Sequence, residues 1–387
     1  MKKNQPHILY VLTKLELGGA QKVCLTLLKG ITNHNITSSL LSGTEGPLVE
    51  QAKKHDSVFL LKSLKREVGI KTIFYEFLAF IQMITHMRKL KKNHPNVIVH
   101  THSTKAGLMG RWAAFFARIK KRVHTVHGFG FHDHQSRIGW YANMILEYIT
   151  SLITTHYVCV SRCDQNIGNT YFPWFSKKSS VIRAAVDWNR FYQPAKQTKS
   201  DKIIFGTVSC LKPQKNIIDL LKAYKYVCDN LSQDNQNRIH LQIIGDGIQR
   251  PLIESWLAKN NLLNKVDLLG WQHNVDQWMR SWDLFVMSSL WEGLPCAIVE
   301  ARLNNLPVIA YNIAGIPEII ADKKNGFLVP AGNWKLLGNR MKNLVENHTL
   351  LQTLSFYNDH LEDFQNSTMI KKHSELYSRM NTAPRNK

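Results

Sequence analysis

Two carboxylates eight positions apart, Glu292 and Glu300, bracket a segment that changes character halfway. It reads Ser288-Ser289-Leu290-Trp291-Glu292-Gly293-Leu294-Pro295-Cys296-Ala297-Ile298-Val299-Glu300-Ala301. The apolar run ending at Met287 has the composition of a buried strand, and the residues after Pro295 read as a helix. Gly293 lets the backbone approach a ligand closely. Pro295 suits a first helical turn, where its missing N–H costs little. Unpaired amides at a helix start favour a phosphate or a sugar oxygen. Glu292 in the loop and Glu300 in the helix can accept hydrogen bonds from sugar hydroxyls. An ordinary strand-loop-helix with a capping acid has the same pattern. A second concentration of reactive side chains, His124, His127, His132 and His134 with Asp133, has no ligand spacing that specifies a metal. No Asp-x-Asp pair is present either, so neither a metal nor another cofactor is expected.

Such a loop needs a strand behind it and a helix ahead of it, and the chain supplies that unit repeatedly. Short β-rich runs alternate with helical patterns, the mark of a parallel sheet covered by helices. Strands are expected at His7–Thr13, Asn96–His102, Arg122–Val126 and Val158–Ser161. A second series is expected at Ile203–Val208, Leu241–Ile244, Val266–Leu269, Leu284–Met287, Val308–Ala310 and Phe327–Val329. Helices are expected to about Lys29, over Lys105–Ile119 and over Thr368–Met380. The pattern breaks between Arg183 and Phe191, and Gln193–Lys202 is polar, which places a domain boundary near residue 193. Residues 1–192, completed by about 365–387, then form one domain and 193–364 the other.

The 387 residues are 44% hydrophobic, enough for two cores. Net charge is +22, very unevenly spread: residues 1–200 hold 29 basic and 10 acidic side chains, a net of +19, against +3 for the remainder. The first half therefore suits an anionic partner, and no nucleic-acid reading motif accompanies the charge. Six scattered cysteines without a Cys-x-x-Cys pair fit reduced thiols. Trp140–Val160 reads as a helix followed by a strand. Thr72–Leu90 fits a core helix with a basic tip, and also a helix lying on a membrane.

Downstream of Glu300 come Asn305-Leu306-Pro307-Val308, Ala314-Gly315-Ile316-Pro317-Glu318 and Asn325-Gly326-Phe327-Leu328-Val329. With the Glu-x7-Glu segment, this order resembles the signature of glycosyltransferase family 4. The resemblance implies an α/β chain of GT-B fold: two Rossmann-like domains with parallel sheets facing across a cleft, and a C-terminal helix crossing back to the first. Gly18-Gly19-Ala20-Gln21 looks like the family's first-strand loop, which places Gly19 beside the donor phosphate and Gly18 on the acceptor side. His100-Thr101-His102-Ser103 and Val126-His127-Gly128 look like its N-domain motifs. They imply His102 on the acceptor side and His127 at the reaction centre. Ile244-Gly245-Asp246-Gly247 matches a nucleotide-side loop. Ser209-Cys210-Leu211-Lys212-Pro213-Gln214-Lys215-Asn216 is similar to the family's Gly-Arg-Leu-x-x-x-Lys-Gly, so Lys215 falls on its lysine and would neutralise the leaving diphosphate. By the same resemblance Glu300 holds the ribose hydroxyls and Glu292 those of the donor sugar, with Gly293, Leu294, Pro295 and Cys296 lining the donor. Cys210 replaces the family's arginine, Asn216 its glycine, and Ala184-Ala185 its Asn-Gly. Lys212 is the candidate substitute for the arginine.

The expected activity is retaining transfer of a hexosyl group from a nucleotide sugar, UDP-linked by family frequency, to a glycan or lipid-linked acceptor. A nucleotide-sugar epimerase on the same fold and a binding protein without turnover are the alternatives. The expected place is cytoplasmic, at the inner face of an anionic membrane. Arg88-Lys89-Leu90-Lys91-Lys92 and Lys120-Lys121-Arg122 would make the contact.

Overall fold

The computed structural model describes residues 5–65, 72–192, 202–355 and 361–382. The chain divides into two compact units, Met1–Ala185 with Asp363–Lys387, and Val186–Glu362. The boundary expected at residue 193 lies outside the described residues.

Unit 1 holds seven strands: β1 (His7–Val11), β2 (Thr37–Gly43), β3 (Val58–Leu61), β4 (Val97–His102), β5 (Lys121–Val126), β6 (His156–Cys159) and β7 (Ser179–Val181). Their order is β3-β2-β1-β4-β5-β6-β7, and every pairing is parallel. Helices on both faces bury β1 and β4 along their whole length. That is why these strands read as continuous runs rather than alternating ones. Three strands were not expected from the sequence. The polar composition of Thr37–Gly43 disguises β2, whose serines are buried: Ser38 Oγ donates to Leu28 O at 2.9 Å and Ser39 Oγ pairs with His7 Nε2 at 2.8 Å. β3 and β7 are four and three residues long, too short for a periodic signal. β6 begins and ends two residues earlier than expected; Ser161 is not part of it because it caps the next helix and accepts from Asp164 N at 2.9 Å.

Unit 2 holds β8 (Ile203–Val208), β9 (Ile239–Ile244), β10 (Val266–Gly270), β11 (Leu284–Met287), β12 (Val308–Tyr311) and β13 (Gly326–Val329). They form a second parallel sheet in the order β10-β9-β8-β11-β12-β13. Leu220, Tyr224 and Val227 of helix Ile217–Asn230 and Leu337, Met341 and Leu344 of helix Trp334–Glu346 pack into its core. Burying each such side chain contributes about 1.5–3 kcal/mol.

The last helix, Asn366–Thr382, belongs to unit 1. It buries Met369, His373, Leu376 and Tyr377, and Ile370 packs where a side chain at Gly30 would otherwise stand. Lys121 Nζ donates to Asn381 Oδ1 at 2.9 Å. Among the described residues no helix is long and apolar enough to cross a membrane.

Candidate active site

In an open parallel sheet, ligands bind beyond the carboxyl ends of the strands where the strand order reverses. Unit 2 reverses between β8 and β11, unit 1 between β1 and β4. Gly18, Lys212, Lys215 and Glu292 sit on the loops at these points; Gly19 and Cys296 open the helices that follow, and His102, His127 and Gly245 lie at the ends of β4, β5 and β9.

In unit 2 the loop after β8 turns through a short 3₁₀ segment, Pro213–Lys215. Asn216 then takes a left-handed conformation, φ 47°. Asparagine tolerates that region better than other side-chain-bearing residues, and Asn216 Nδ2 is held by Asp219 Oδ2 at 2.7 Å. The replacement of the family's glycine is thereby accommodated. The loop after β11 is stitched to this one: Leu290 N donates to Gln214 O at 2.8 Å, Gln214 Nε2 to Trp291 O at 2.7 Å, and Ser288 Oγ to Asn216 O at 2.9 Å. The stitching brings Lys215 Nζ into an ion pair with Glu292. The two side chains are 19% and 9% exposed, so their attraction is little screened by solvent.

Gly293, Leu294 and Pro295, which follow Glu292, are buried, and Gly315 N donates to Gly293 O at 3.1 Å. The helix Cys296–Leu303 begins there with no acidic residue in its first turn, so nothing on the helix itself offsets the positive field of its amides. Pro295 stands just before that helix as its cap residue, one position earlier than the first turn expected for it. Glu300 is buried within the helix, 7% exposed. Gly245 follows β9 with φ 122°, and a Cβ there would lie 2.0 Å from Ser209 O. Only glycine permits both the conformation and the approach. Cys210 and Lys212 are half-buried on the β8 loop, where Lys212 N donates to Cys210 O at 2.8 Å.

In unit 1, Gly18 and Gly19 open the helix Gly19–Gly30 directly after the β1 loop. Its first turn likewise carries no acid. Gly18 is extended, φ −137°, and a Cβ there would meet only the tip of the flexible Gln21 side chain, so neither backbone conformation nor space requires glycine at this position. Thr13 Oγ1 and Ser103 Oγ join the β1 and β4 loops at 2.9 Å.

His102 ends β4 and His127 follows β5, with His102 Nδ1 3.0 Å from His127 Nε2. One ring must donate and the other accept, which requires that they not both be protonated. Burial, reinforced by His373, pushes His127 down to about 4. Burial, then His127, His373 and His124, holds His102 well below the imidazole range. His100 is lowered by burial, then by His102, His373, His127 and His156. It binds Tyr377 Oη through Nδ1 at 2.5 Å and Thr125 Oγ1 through Nε2 at 2.7 Å.

The sequence reading missed His373 and Tyr377. They enter this cluster from some 270 residues away, and no local pattern announces them. It also missed the Lys215–Glu292 pair, formed across 77 positions. Phe129, Phe131 and Trp140 pack against Phe172 and Phe175, with Phe129 and Phe131 ring centroids 4.9 Å apart; these aromatics form a packed cluster. Among the described residues no cluster of His, Cys, Asp and Glu is arranged to hold a metal.

Residues 17–190 match the family model "Glycosyltransferase Family 4" and residues 189–359 match "Glycosyl transferases group 1". The chain belongs to the family 4 glycosyltransferases. It is 28% identical over 373 residues to the UDP-Gal:alpha-D-GlcNAc-diphosphoundecaprenol alpha-1,3-galactosyltransferase of Escherichia coli, covering 93% of this chain and 94% of that one. It is 25% identical to the putative glycosyltransferase EpsF of Bacillus subtilis, over 80% of each chain. Anabaena HepE, solved with UDP and glucose, superposes with a TM-score of 0.79 at 18% identity, over 96% of this chain and 99% of that one. The sucrose-phosphate synthase of Thermosynechococcus elongatus gives 0.80 at 16%, over 98% and 100%. The fold is that of the GT-B glycosyltransferases, and this family 4 chain is an enzyme of the transferase class.

Proposed function

We propose that this glycosyltransferase is a retaining hexosyltransferase that takes its sugar from a UDP-linked donor and delivers it to a hydroxyl of a lipid-linked or cell-envelope glycan. The observation that carries the reading is the Lys215–Glu292 pair at the switch point of unit 2. It puts a cation and a carboxylate on strand-end loops stitched to each other, beside a helix start whose first turn carries no acid. Lys215 meets the diphosphate, whose charge grows as the glycosidic bond breaks. Glu292 turns to hydroxyls of the donor sugar. Glu300 accepts from the ribose, while the backbone at Gly245, Gly293, Leu294, Pro295 and Cys296 encloses the donor. Lys212 stands in for the arginine that Cys210 replaces. In unit 1, Gly19 approaches the phosphate, Gly18 and His102 serve the acceptor side, and neutral His127 lines the reaction centre.

The transfer is front-face. The bond from the anomeric carbon to the diphosphate oxygen breaks, and the acceptor oxygen bonds to the same face of the oxocarbenium-like carbon. The acceptor's proton passes to the leaving phosphate oxygen, so no dedicated carboxylate base is required. The undecaprenol-linked acceptor in the name of the E. coli relative and the UDP complex of HepE support the choice of acceptor and donor. The family's habit supports retention. We further propose that the enzyme works at the cytoplasmic face of an anionic membrane. The net +19 of the first 200 residues draws it there, each basic residue near the leaflet adding about 1 kcal/mol.

The test is a transfer assay with a panel of UDP-sugars and a polyprenyl-diphosphate sugar acceptor, the anomer of the product being read by NMR. An α-linked product from an α-linked donor is expected. An inverted product removes the front-face mechanism. Free epimer without acceptor points to an epimerase, and nucleotide binding without any turnover points to a binding protein.

A further inference from the structure

The helix Arg137–Ile153 is inside out. Its buried residues are Glu147, Thr150 and Ser151, while Ile138, Tyr141, Ile145, Ile149 and Leu152 are 84%, 57%, 49%, 44% and 59% exposed. A surface helix of a water-soluble unit shows the reverse arrangement. The polar inner side is fully engaged. Arg111 grips Glu147 through two hydrogen bonds at 2.7 and 2.8 Å, Trp112 Nε1 donates to Thr150 Oγ1 at 3.0 Å, and Trp174 Nε1 donates to Ser151 Oγ at 3.0 Å. The orientation is therefore fixed, and the apolar stripe is held outward.

The neighbouring helices continue this face. Helix Thr104–Phe116 lies beside it and ends in exposed Phe115 and Phe116. Next comes helix Ile73–Asn93, joined through the Phe80 and Phe116 rings at 6.0 Å and through Arg88 donating to Phe116 O at 3.3 Å. This helix buries Ala79, Met83, Ile84 and Met87. Its first turns expose Ile73, Phe74 and Phe77 at 61%, 69% and 64%. The core-helix reading of this segment thus holds for one side only. So many exposed apolar side chains on three neighbouring helices mark an interaction site.

Charge decides what covers it. Arg88, Lys91, Lys92 and Arg118 line one groove at the edge of the face. Residues 72–163 hold 12 basic and 3 acidic side chains. Two of the acids, Glu76 and Glu147, are taken by Lys105 and Arg111. A second copy would set this basic rim against itself under two-fold symmetry.

We infer that this three-helix face of unit 1 inserts into an anionic lipid bilayer, lying in its interface with the basic groove on the lipid phosphates. The helices are in-plane, since none can span, and exposed Tyr75 and Tyr141 suit the headgroup level. The inference rests on the membrane reading above and changes its physics: apolar burial holds the enzyme, and charge only brings it in.

The two readings separate in salt. The full chain is floated with phosphatidylglycerol–phosphatidylethanolamine vesicles at low salt and at about 1 M, where screening acts within roughly 3 Å. Retention at high salt is expected, together with quenching of wild-type tryptophan fluorescence by brominated acyl chains. Ile145→Glu/Ile149→Glu is expected to bind vesicles at least tenfold more weakly, with unchanged circular dichroism and unchanged affinity for UDP. Complete release of the wild type at high salt, or a double variant that binds as well as wild type, overturns insertion and leaves electrostatic docking standing. No binding to any vesicle overturns both. A vesicle-free dimer that the double variant abolishes assigns the face to a second copy and overturns the proposal.

Discussion

At the switch point of unit 2 the side chains that meet are charged, Lys215 and Glu292, whereas at the ends of β4 and β5 in unit 1 they are imidazoles held neutral, His102 and His127. Both pairs sit at the carboxyl ends of parallel strands. The difference teaches what each place has to do. A charge worth placing in a half-buried site is one that meets an opposite charge forming in the reaction. Neutral rings can hydrogen-bond hydroxyls without adding charge to the centre. The outer surfaces reverse the contrast: the first 200 residues carry +19 and the rest +3. Unit 1 meets its reaction side with neutral polarity, and the charge it buries, Arg111 with Glu147, is paired off.

The sharpest way to break this comparison is to remove the cation. Lys215→Ala is expected to lower the rate at saturating donor about 10²–10³-fold, the usual cost of losing one donor aimed at developing charge. Donor affinity should change far less, because the diphosphate is less charged before the bond breaks. Steady-state kinetics with varied donor separates the two. A raised KM with kcat intact would show Lys215 to be a ground-state binding residue only.

Glu300 tests whether unit 2 also binds the nucleotide through charge. Glu300→Ala should weaken UDP by about 1.5–3 kcal/mol, the contribution of a hydrogen bond to an ionised group. Calorimetry measures it directly. An unchanged dissociation constant removes the ribose role and leaves Glu300 as a buried helix residue.

How much of this was legible in the sequence depended on distance along the chain. Glu292 and Glu300 stand in one local segment, and strand, turn and helix there follow from Gly293, Pro295 and the apolar run before them. Both sheets were legible from alternation, except where a strand was very short or, like β2, lined with serines. The pairing of Lys215 with Glu292 was not, because it depends on two loops being laid side by side by β8 and β11. Nor were His373 and Tyr377, delivered to β4 by the last helix. The inside-out helix illustrates a different limit. Residues 140–160 read correctly as a helix and then a strand, but the period of an apolar stripe is the same whether it faces a core or a bilayer.

Acid should separate the units. His127, His156 and His373 are lowered to about 4, each chiefly by burial, from an ordinary value of 6.5. Between those values the unfolded chain binds protons that the folded unit 1 refuses. Stability therefore falls as pH drops from about 6.5 toward 4, by on the order of 1.4 kcal/mol per pH unit for each such histidine. Hydrogen-exchange mass spectrometry at pH 7 and pH 5 is expected to show β4 and β5 losing protection while β8 and β9 keep theirs. Parallel loss in both sheets would mean that the buried histidines do not set the acid limit.

The smallest effect concerns His102, which touches His127 rather than charge. His102→Phe keeps a ring of similar shape and removes the hydrogen bond to His127 Nε2, which contributes about 0.5–1.5 kcal/mol. It also removes His102 Nε2, a buried atom without a partner among the described residues, whose burial was itself unfavourable. The two changes oppose each other, so the melting temperature should move little. Turnover should still fall a few-fold, because His127 is left free to rotate, and UDP affinity, which rests on unit 2, should not change. That combination of unmoved melting, unmoved UDP affinity and reduced kcat identifies His102 as a positioning residue for His127. If turnover is equal to wild type, the orientation of His127 is fixed by its packing alone, and the neutral histidine pair is a feature of the fold rather than of the reaction.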